Sequence, residues 1–393
     1  MAGIVLRSVS KIQNKGFKRP VWLAANKLNY WIKREWDYFN IHPIDALFFL
    51  TYRCTSRCKI CQMWQRDIKG IEMGLDGWQR AVDMCYEVGV RWIEIFGGDA
   101  LLRKDILVPL VEYIKGYPGM NCNMPTNCNL MDKETAEGLV RAGIDDIWIS
   151  IDGVDTVHDA VRGKEGSFSK VVNGINYLLK ARDDKTLPKI RANCTISKYN
   201  VHSFERILPF AEERGLDTVH LEYVGEFWKE TLDKCDFAGT KPTPYFIKAG
   251  EETILVNEEE AYLIKKKTEI MKKQAEGMKV RLYTENIDKL TVENMVKGRF
   301  NNKRCYIMRF KVTVDPSGFI LACPFYDGWK IGNVQEQHLR DIWKNEKHKK
   351  FIKAFKQGRF QFCNYCILGV QRNPTLFQDM RDELNAFFKK PRI

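Results

Sequence analysis

Between Ala46 and Tyr223 the chain alternates short β-like runs with helical patterns, and this alternation constrains its fold more than any other feature. The β-branched and aromatic runs lie at Ala46–Tyr52, Trp92–Phe96, Asn121–Met124, Asp146–Ile151, Ile190–Ile196 and Asp217–Tyr223. Helical patterns separate them, over about Asp76–Val88, Asp105–Tyr113, Lys133–Ala142, Phe168–Arg182 and Val201–Arg214. Strand–helix alternation at this spacing is typical of parallel βα units. The sequence therefore predicts an α/β fold built as a partial (β/α)6 TIM-like barrel, with its chemistry in loops at the C-terminal ends of the strands.

The limits of this alternation, together with local composition, divide the 393 residues into five segments. Residues 1–43 are basic and aromatic, and residues 44–224 form the barrel core. Residues 225–300 read as an irregular insertion followed by a charged helix over about Glu258–Met278. Residues 301–370 suggest a smaller second domain, because Lys311–Ala322 alternates like a hairpin around a turn at Asp315–Gly318. Residues 371–393 predict a final amphipathic helix.

Composition excludes two classes of protein. Hydrophobic residues at 45% and aromatic residues at 12% are ample for a large core, which excludes a disordered chain. A mean hydropathy of −0.37, and apolar runs far short of the ~20 residues that a spanning helix needs, exclude a membrane span. The N-terminus also lacks the apolar region of a signal peptide. We therefore expect a cytoplasmic chain whose 12 cysteines are thiols or metal ligands rather than disulfides.

The net charge of +13 is concentrated near the N-terminus. Eight basic side chains in residues 1–40 face only two acidic ones, with aromatic residues interleaved. One interpretation is an amphipathic helix on the anionic inner face of a membrane, where the protein would be peripheral. The other is a helix that closes the bottom of the barrel with its tryptophans buried. The pattern favours the second slightly and leaves both open.

Two cysteine constellations point to metal chemistry. Cys54, Cys58 and Cys61 lie directly after the first strand, and three thiolates this close suit three irons of a 4Fe–4S cluster with one iron left open. A closed zinc site would need a fourth ligand nearby, and none is apparent. The second constellation comprises Cys305, Cys323, Cys363 and Cys366. Its four thiolates fit either a fully ligated 4Fe–4S cluster or structural zinc, and the companion motif favours iron–sulfur.

These residues carry a family resemblance. Cys54-Thr-Ser-Arg-Cys58-Lys-Ile-Cys61 after the first strand and Gly97-Gly98-Asp99 after the second resemble a radical S-adenosylmethionine (SAM) enzyme. The Ser150-Ile-Asp152-Gly153 segment, followed by His158-Asp159 and Arg162-Gly163, resembles the SPASM/twitch branch. Cys305, Gly318-x4-Cys323 and Cys363-x2-Cys366 are similar to a C-terminal twitch/SPASM-like iron–sulfur domain with a single auxiliary cluster.

The resemblance implies roles for individual residues. Cys54, Cys58 and Cys61 would hold the cluster that chelates SAM, and the second set would hold the auxiliary 4Fe–4S cluster. Six positions match cofactor contacts of the family. They are Ile60 against the adenine, Gly97 and Gly98 beside the methionine moiety, Asp99 at the ammonium group, and Ser150 and Arg162 at the ribose or carboxylate. Glu222, at the end of the sixth strand, could also face the cofactor. Asp99 stands where the family usually has Glu and is one methylene shorter.

The implied reaction is reductive cleavage of SAM to a 5′-deoxyadenosyl radical, which abstracts hydrogen from a substrate C–H bond. An electron donor such as flavodoxin or ferredoxin is implied with it. The twitch resemblance favours oxidation or epimerisation of a sugar, a cyclitol or a lipid-linked glycan. An epimerase would need a thiol as hydrogen donor, and Cys235 in the insertion is the candidate. Peptide maturation is the alternative, less favoured because only 53 residues precede Cys54.

A reading from another class is a zinc protein that binds RNA through its basic charge. No RNA-recognition motif appears, and this reading leaves the Gly97-Gly98-Asp99 and Ser150–Gly153 segments unexplained. We therefore expect no nucleic-acid partner.

Overall fold

Six parallel strands form the barrel core, as the sequence predicts. The computed structural model describes residues 43–66, 71–248, 252–300, 305 and 307–368. The strands are β1 (Asp45–Phe49), β2 (Trp92–Phe96), β3 (Asn121–Thr126), β4 (Asp146–Ser150), β5 (Lys189–Ile196) and β6 (Thr218–Tyr223). Each pairs in parallel with the next along the chain. This arrangement confirms the α/β fold and the partial barrel.

The five predicted helices between the strands lie within about three residues of their predicted bounds, apart from the start of the last, and one further short helix, Thr156–Arg162, was not predicted. The helices are α1 (Leu75–Glu87), α2 (Lys104–Gly116), α3 (Lys133–Ala142), α4 (Thr156–Arg162), α5 (Ser167–Arg182) and α6 (Ile207–Arg214). A short 3₁₀ turn, Phe204–Arg206, replaces the predicted first part of α6. Alternate side chains along these strands are apolar and buried. They face the helices, which cover this side of the sheet.

Beyond β6 the chain is less irregular than predicted. Residues 225–256 contain a two-stranded sheet of β7 (Phe227–Trp228) and β8 (Ile247–Lys248), with helix α7 (Lys229–Asp233) between them. The charged helix α8 runs over Glu258–Ala275, and β9 (Arg281–Tyr283) follows as a seventh parallel strand on β6. The short helices α9 (Glu285–Lys289) and α10 (Val292–Lys297) lead out of the insertion.

The predicted hairpin is part of the barrel sheet. After helix α11 (Ile307–Phe310), β10 (Lys311–Val314), β11 (Phe319–Leu321) and β12 (Lys330–Asn333) form an antiparallel meander. Strand β10 also pairs in parallel with β1, so ten strands form one sheet in the described part of the chain, in the order β12-β11-β10-β1-β2-β3-β4-β5-β6-β9. Helices α12 (Leu339–Ile342) and α13 (Glu346–Lys356) complete this part.

A buried ion cluster fixes the joint between β10 and β1. The Lys311 side chain is only 4% exposed, and its Nζ lies 3.2 Å from Asp45 Oδ2 and 3.1 Å from Glu94 Oε2. An ammonium group this buried requires paired carboxylates, which β1 and β2 supply. The cluster therefore selects the observed register between the hairpin and the barrel.

The face of β4–β6 that points into the barrel carries many polar side chains. Along β5, partly exposed Arg191, Asn193 and Thr195 alternate with buried residues that face the helices. Neighbouring strands add Asp146, which pairs with Arg191, and His220, whose Nδ1 lies 3.3 Å from Glu222 Oε1. The lumen face of β4–β6 therefore carries hydrogen-bonding and charged groups, while β1 and β2 add the apolar side chains of Leu47, Phe49 and Phe96.

Some predictions fall outside the described residues. They include the basic aromatic segment 1–42, with its two interpretations as a membrane contact or a barrel-closing helix, and the terminal helix over residues 371–393. Within the described ranges no helix combines the length and the apolar character needed to cross a bilayer.

Candidate active site

The loop after β1 carries three of the candidate ligands. Cys54, Cys58 and Cys61 are each partly exposed. Backbone N–H groups of Ser56 and Met63 donate to the sulfurs of Cys54 and Cys61, at 3.4 and 3.5 Å. Burial raises the pKa of all three thiols, that of Cys61 to about 12. Without a bound metal these thiols are protonated at neutral pH, so metal binding has to displace their protons.

Helix α4 supports this loop through its last residue. Arg162 Nη2 lies 2.7 Å from Asp152 Oδ2, in an ion pair whose carboxylate is fully buried, and Arg162 Nη1 lies 3.9 Å from the sulfur of Cys58. Burial alone would lower the pKa of the guanidinium, but the Asp152 carboxylate raises it, so Arg162 stays charged. The Arg57 N–H donates to the Arg162 carbonyl at 3.1 Å. The predicted cofactor residue thus places a positive charge beside a candidate ligand.

The glycine pair has a steric role that the sequence did not reveal. A Cβ atom on Gly97 would lie 2.4 Å from the Thr51 carbonyl oxygen, and one on Gly98 would lie 2.3 Å from the Arg53 carbonyl oxygen. Both distances are far below van der Waals contact. The two glycines therefore let the end of β2 approach the start of the cysteine loop, in addition to the cofactor role that the family resemblance implies.

A buried hydrogen-bond network joins this loop to the ends of β2 and β3. Asp99 is 3% exposed and accepts a hydrogen bond from the Thr55 hydroxyl at 2.5 Å. Asn129 Nδ2 donates to Ser56 Oγ at 2.8 Å and to Thr55 Oγ1 at 3.3 Å. Asn127 Nδ2 donates to Thr55 Oγ1 at 3.3 Å and lies 3.9 Å from the Cys54 sulfur. The carboxylate of Asp99 is thus partly committed to Thr55.

The network continues to a neutral histidine. Burial lowers the pKa of His158 to about 3, so its Nδ1 accepts the Asp152 N–H at 3.3 Å and its Nε2 carries the proton toward Ser167 Oγ at 3.3 Å. The Ser167 hydroxyl then donates to Asn129 Oδ1 at 3.0 Å. Sequence reasoning missed Thr55, Asn127 and Asn129. Polar side chains directly after β3 were the available signal, because these strand ends meet at one edge of the sheet.

The remaining predicted cofactor residues lie around the same edge. Ile60 is buried, and Ser150 is partly exposed at the end of β4. Glu222 Oε1 lies 3.3 Å from His220 Nδ1, which is also 3.0 Å from Asn193 Oδ1. His220 and Asn193 were not predicted. Register places Ser150, Asn193 and His220 side by side in the lumen.

The second cysteine set surrounds one apolar cavity. Cys305, Cys323, Cys363 and Cys366 line a cavity of about 20 Å³ together with Phe325, Phe360, Phe362 and other apolar side chains. Cys363 and Cys366 come from a 3₁₀ turn, Gln361–Tyr365, and the residue after it. Burial raises the pKa of Cys323 and of Cys363 well above the ordinary thiol value, and the nearby cysteines of the set raise it further.

The donor sets fit iron–sulfur clusters better than single metal ions. Within the described ranges, no three His, Cys, Asp or Glu side chains converge closely enough to hold one ion. The four cysteines of the second set line one apolar cavity, and four thiolates are the ligand set of a 4Fe–4S cluster. At the first site the sulfurs receive N–H donors, which tune cluster ligands. The buried Arg162 Nε has no hydrogen-bond partner in the described part of the chain, and an acceptor on a bound cofactor would satisfy it.

Cys235 lies away from the barrel lumen, which argues against its predicted role as hydrogen donor. It is 1% exposed, and the backbone N–H groups of Gln361 and Phe362 approach its sulfur. Its carbonyl accepts from the Tyr326 hydroxyl at 2.7 Å. Cys235 thus packs against the turn that carries the second cysteine set. Cys85, Cys122, Cys128 and Cys194 are buried in the core, as small apolar residues would be.

Two family models match the chain in the regions of these sites. The radical SAM superfamily model matches residues 48–211, and a model described as an iron–sulfur cluster-binding domain, SPASM, matches residues 305–367. The chain belongs to the radical SAM superfamily. Its C-terminal match places it in the SPASM/twitch branch, and the cofactors are accordingly a 4Fe–4S cluster, SAM and auxiliary iron–sulfur.

Curated relatives differ in what their names describe. A PqqA peptide cyclase of Granulibacter bethesdensis is 25% identical over 309 residues, which are 77% of this chain and 74% of that protein. An AdoMet-dependent heme synthase of Methanosarcina barkeri is 24% identical over 326 residues, 80% of this chain and 87% of that one. A heme synthase of Nitratidesulfovibrio vulgaris is 31% identical, but the match spans only 44% of this chain and 46% of that protein.

Solved structures share the fold. Streptococcus suis SuiB bound to S-adenosylmethionine superposes with a TM-score of 0.61 at 15% identity, over 95% of this chain and 84% of that one. The anSMEcpe structure with bound AdoMet and Cp18Cys peptide gives 0.58 at 16% identity, over 80% and 83%. At such low identity these similarities concern architecture alone.

Proposed function

We propose that this radical SAM enzyme modifies a peptide substrate, with the reacting residue held in the barrel lumen. The observation that carries the proposal is the polar lumen face of β4–β6. It offers charged and amide groups, including Arg191, Asn193 and the His220–Glu222 pair, to backbone and side-chain groups of a peptide. The PqqA peptide cyclase relative, which spans three quarters of both chains, supports the same substrate class.

The site residues divide into two ligand sets in this proposal. Cys54, Cys58 and Cys61 hold the SAM-binding cluster, and Cys305, Cys323, Cys363 and Cys366 hold the auxiliary one. A reduced cluster held by Cys54, Cys58 and Cys61 would supply the electron for the reductive cleavage of SAM. The chain itself contributes charge and shape. Arg162 donates toward the Cys58 sulfur, and Asp99, fixed by Thr55, offers its remaining acceptor capacity at the strand edge.

The second candidate is a tetrapyrrole substrate, favoured by the heme synthase of Methanosarcina barkeri, which matches most of both chains. The sugar, cyclitol or lipid-linked glycan predicted from the sequence has no support among the relatives described above. Isotope labelling can distinguish these three substrate classes, because the hydrogen that is abstracted comes from a different molecule in each case.

Deuterium transfer tests the proposal. Anaerobic chain is incubated with SAM, dithionite and carbon-deuterated short peptides encoded near its gene, and mass spectrometry detects deuterium in 5′-deoxyadenosine. Parallel reactions contain a deuterated iron porphyrin or deuterated cyclitols. We expect label transfer from a peptide, and none with the Cys54→Ala variant. Transfer from the porphyrin or a cyclitol, with none from peptides, would refute the peptide assignment.

A further inference from the structure

A segment of the insertion lies between the two cysteine loops and contacts both. We call residues 240–247 the strap. The strap ends at Ile247, the first residue of β8, and is far in sequence from both cysteine motifs. Its contacts to each loop are specific hydrogen bonds as well as packing.

On the side of the first loop, Gln62 joins the strap through three hydrogen bonds. Its backbone N–H donates to the Tyr245 carbonyl at 2.6 Å. Its side-chain Nε2 donates to the Ile247 carbonyl at 3.0 Å, and its Oε1 accepts the Ile247 N–H at 3.2 Å. Arg66 adds a fourth contact, because its Nη2 donates to the Thr243 carbonyl and lies 3.3 Å from the Pro324 carbonyl. Gln62 directly follows the candidate ligand Cys61.

On the auxiliary side, the strap is bound to the residues that follow Cys323. The Thr243 N–H donates to the Phe325 carbonyl at 2.7 Å, and the Thr243 hydroxyl donates to Asp327 Oδ1 at 2.5 Å. The Tyr326 hydroxyl donates to the Thr240 carbonyl at 2.7 Å. The strap is therefore tied to three consecutive residues of the auxiliary loop.

Tyr245 packs against both sides at once. Its ring centroid lies 4.7 Å from that of Phe325 on the auxiliary loop, and 6.1 and 6.3 Å from those of Phe96 and Phe49 at the upper ends of the barrel strands. A displacement of the strap would disturb aromatic contacts on each side.

The two halves of the first loop have different supports. The N–H groups of Arg57 and Lys59 donate to carbonyls of Arg162 and Val161, so the first half is held by the barrel itself. The second half, from Cys61 to Arg66, is held by the strap. Cys61 lies where the two supports meet, because its N–H donates to the Cys58 carbonyl at 3.3 Å and the next residue, Gln62, is bound to the strap. Cys54 and Cys58 depend on α4 and the strand ends.

We propose that Gln62 is a positioning residue and that the strap couples the position of the auxiliary loop, residues 323–327, to that of Cys61. In this arrangement the third ligand is held in place in part by the contacts between the strap and residues 323–327. The inference rests on the ligand role proposed for Cys61, but not on the identity of the substrate. Because coupling between two sites is reciprocal, a change at either end of the strap should be felt at the other.

Site-resolved hydrogen exchange on the anaerobically reconstituted full chain tests this. Gln62→Leu keeps the side-chain size and removes the amide pairing with Ile247. We expect about tenfold faster exchange at the amides of Ile247 and Thr243. The amides of Arg57 and Lys59, held by α4, should not change. Gln65→Leu is the matched control, because Gln65 lies on the same turn with an exposed side chain.

Thr243→Val perturbs the opposite end without touching a candidate ligand. We expect faster hydrogen exchange at the amide of residue 62. In the double variant Gln62→Leu/Thr243→Val, the acceleration of exchange should be smaller than the product of the accelerations in the two single variants. Iron release to a chelator is the second measurement. Two clusters should release their iron in two phases. Gln62→Leu and Thr243→Val should each accelerate the same phase several-fold. Multiplicative exchange effects, or iron release unchanged in both variants, would overturn the coupling while leaving the proposed substrate class untouched.

Discussion

Arg162 shows how one side chain serves both stability and the site. Its guanidinium pairs with a carboxylate that is fully buried and also lies beside the sulfur of Cys58. The sequence motif alone predicts that Arg162 lies near the cofactor. Its partner Asp152, in the Ser150–Gly153 segment, could not be assigned in advance, because the pairing depends on how α4 docks on the end of β4.

Replacing this arginine should destabilise the fold. Arg162→Met leaves Asp152 buried without its counter-charge, and we expect a loss of about 3–5 kcal/mol in the free energy of unfolding, measured by urea denaturation of the full chain. Arg206→Met is the control, because the Arg206–Asp155 pair is exposed and should cost less than about 1 kcal/mol. Equal losses in the two variants would contradict the role assigned to the buried pair.

His348 should make stability depend on pH. It is 1% exposed, its Nε2 lies 2.6 Å from the Met308 carbonyl, and burial lowers its pKa from 6.5 to about 4. Between these values the unfolded chain binds a proton that the folded chain does not. Stability should therefore be complete above pH 6.5 and fall by up to about 3 kcal/mol as the pH drops toward 4.

The measurement is a set of urea denaturation curves between pH 7.5 and pH 4.5, for the wild-type chain and His348→Gln. The variant should be less stable at pH 7.5 and show a flatter dependence on pH. An identical slope in both proteins would show that another group is responsible.

At the scale of elements, the strands and helices of the barrel follow from local periodicity. Helix α3 has the bounds that its pattern predicts, and most other elements differ by a few residues. Strand β9 was missed because three residues carry too little alternation to identify a strand. The parallel pairing of β10 with β1 was also missed, because it joins residues more than 250 positions apart and depends on the ion cluster around Lys311.

The contact between the β2 end and the cysteine loop leads to a prediction for an element junction. Gly98→Ala would place a Cβ atom 2.3 Å from a backbone oxygen of Arg53, so we expect a loss of about 1–3 kcal/mol in stability and a lower iron content after reconstitution. Gly116→Ala, where a Cβ would meet nothing within 4 Å, should change stability by less than about 0.5 kcal/mol. Full iron retention and unchanged stability in Gly98→Ala would argue against the close approach.

At the scale of the whole molecule, two cluster sites in one chain predict an iron content of about eight per chain after anaerobic reconstitution. The double variant Cys363→Ser/Cys366→Ser should retain about four irons, since only the first site stays intact. Cys235→Ala is the control and should retain about eight, because Cys235 packs beside the second set without lining its cavity. A loss of iron in Cys235→Ala as large as in the double variant would make Cys235 a ligand candidate.

The pairing of β10 with β1 bears on how this protein can be divided. Strand β1 is an inner strand whose second neighbour comes from the C-terminal part of the chain. A truncation near residue 300 would leave β1 as a bare edge, with the backbone groups of Phe48 and its neighbours open to pairing with another molecule. Lys311 would be lost from between Asp45 and Glu94 at the same time. The C-terminal region therefore cannot be exchanged between relatives as a detachable module, and a chimera would have to carry over β1 and β10 as a matched pair.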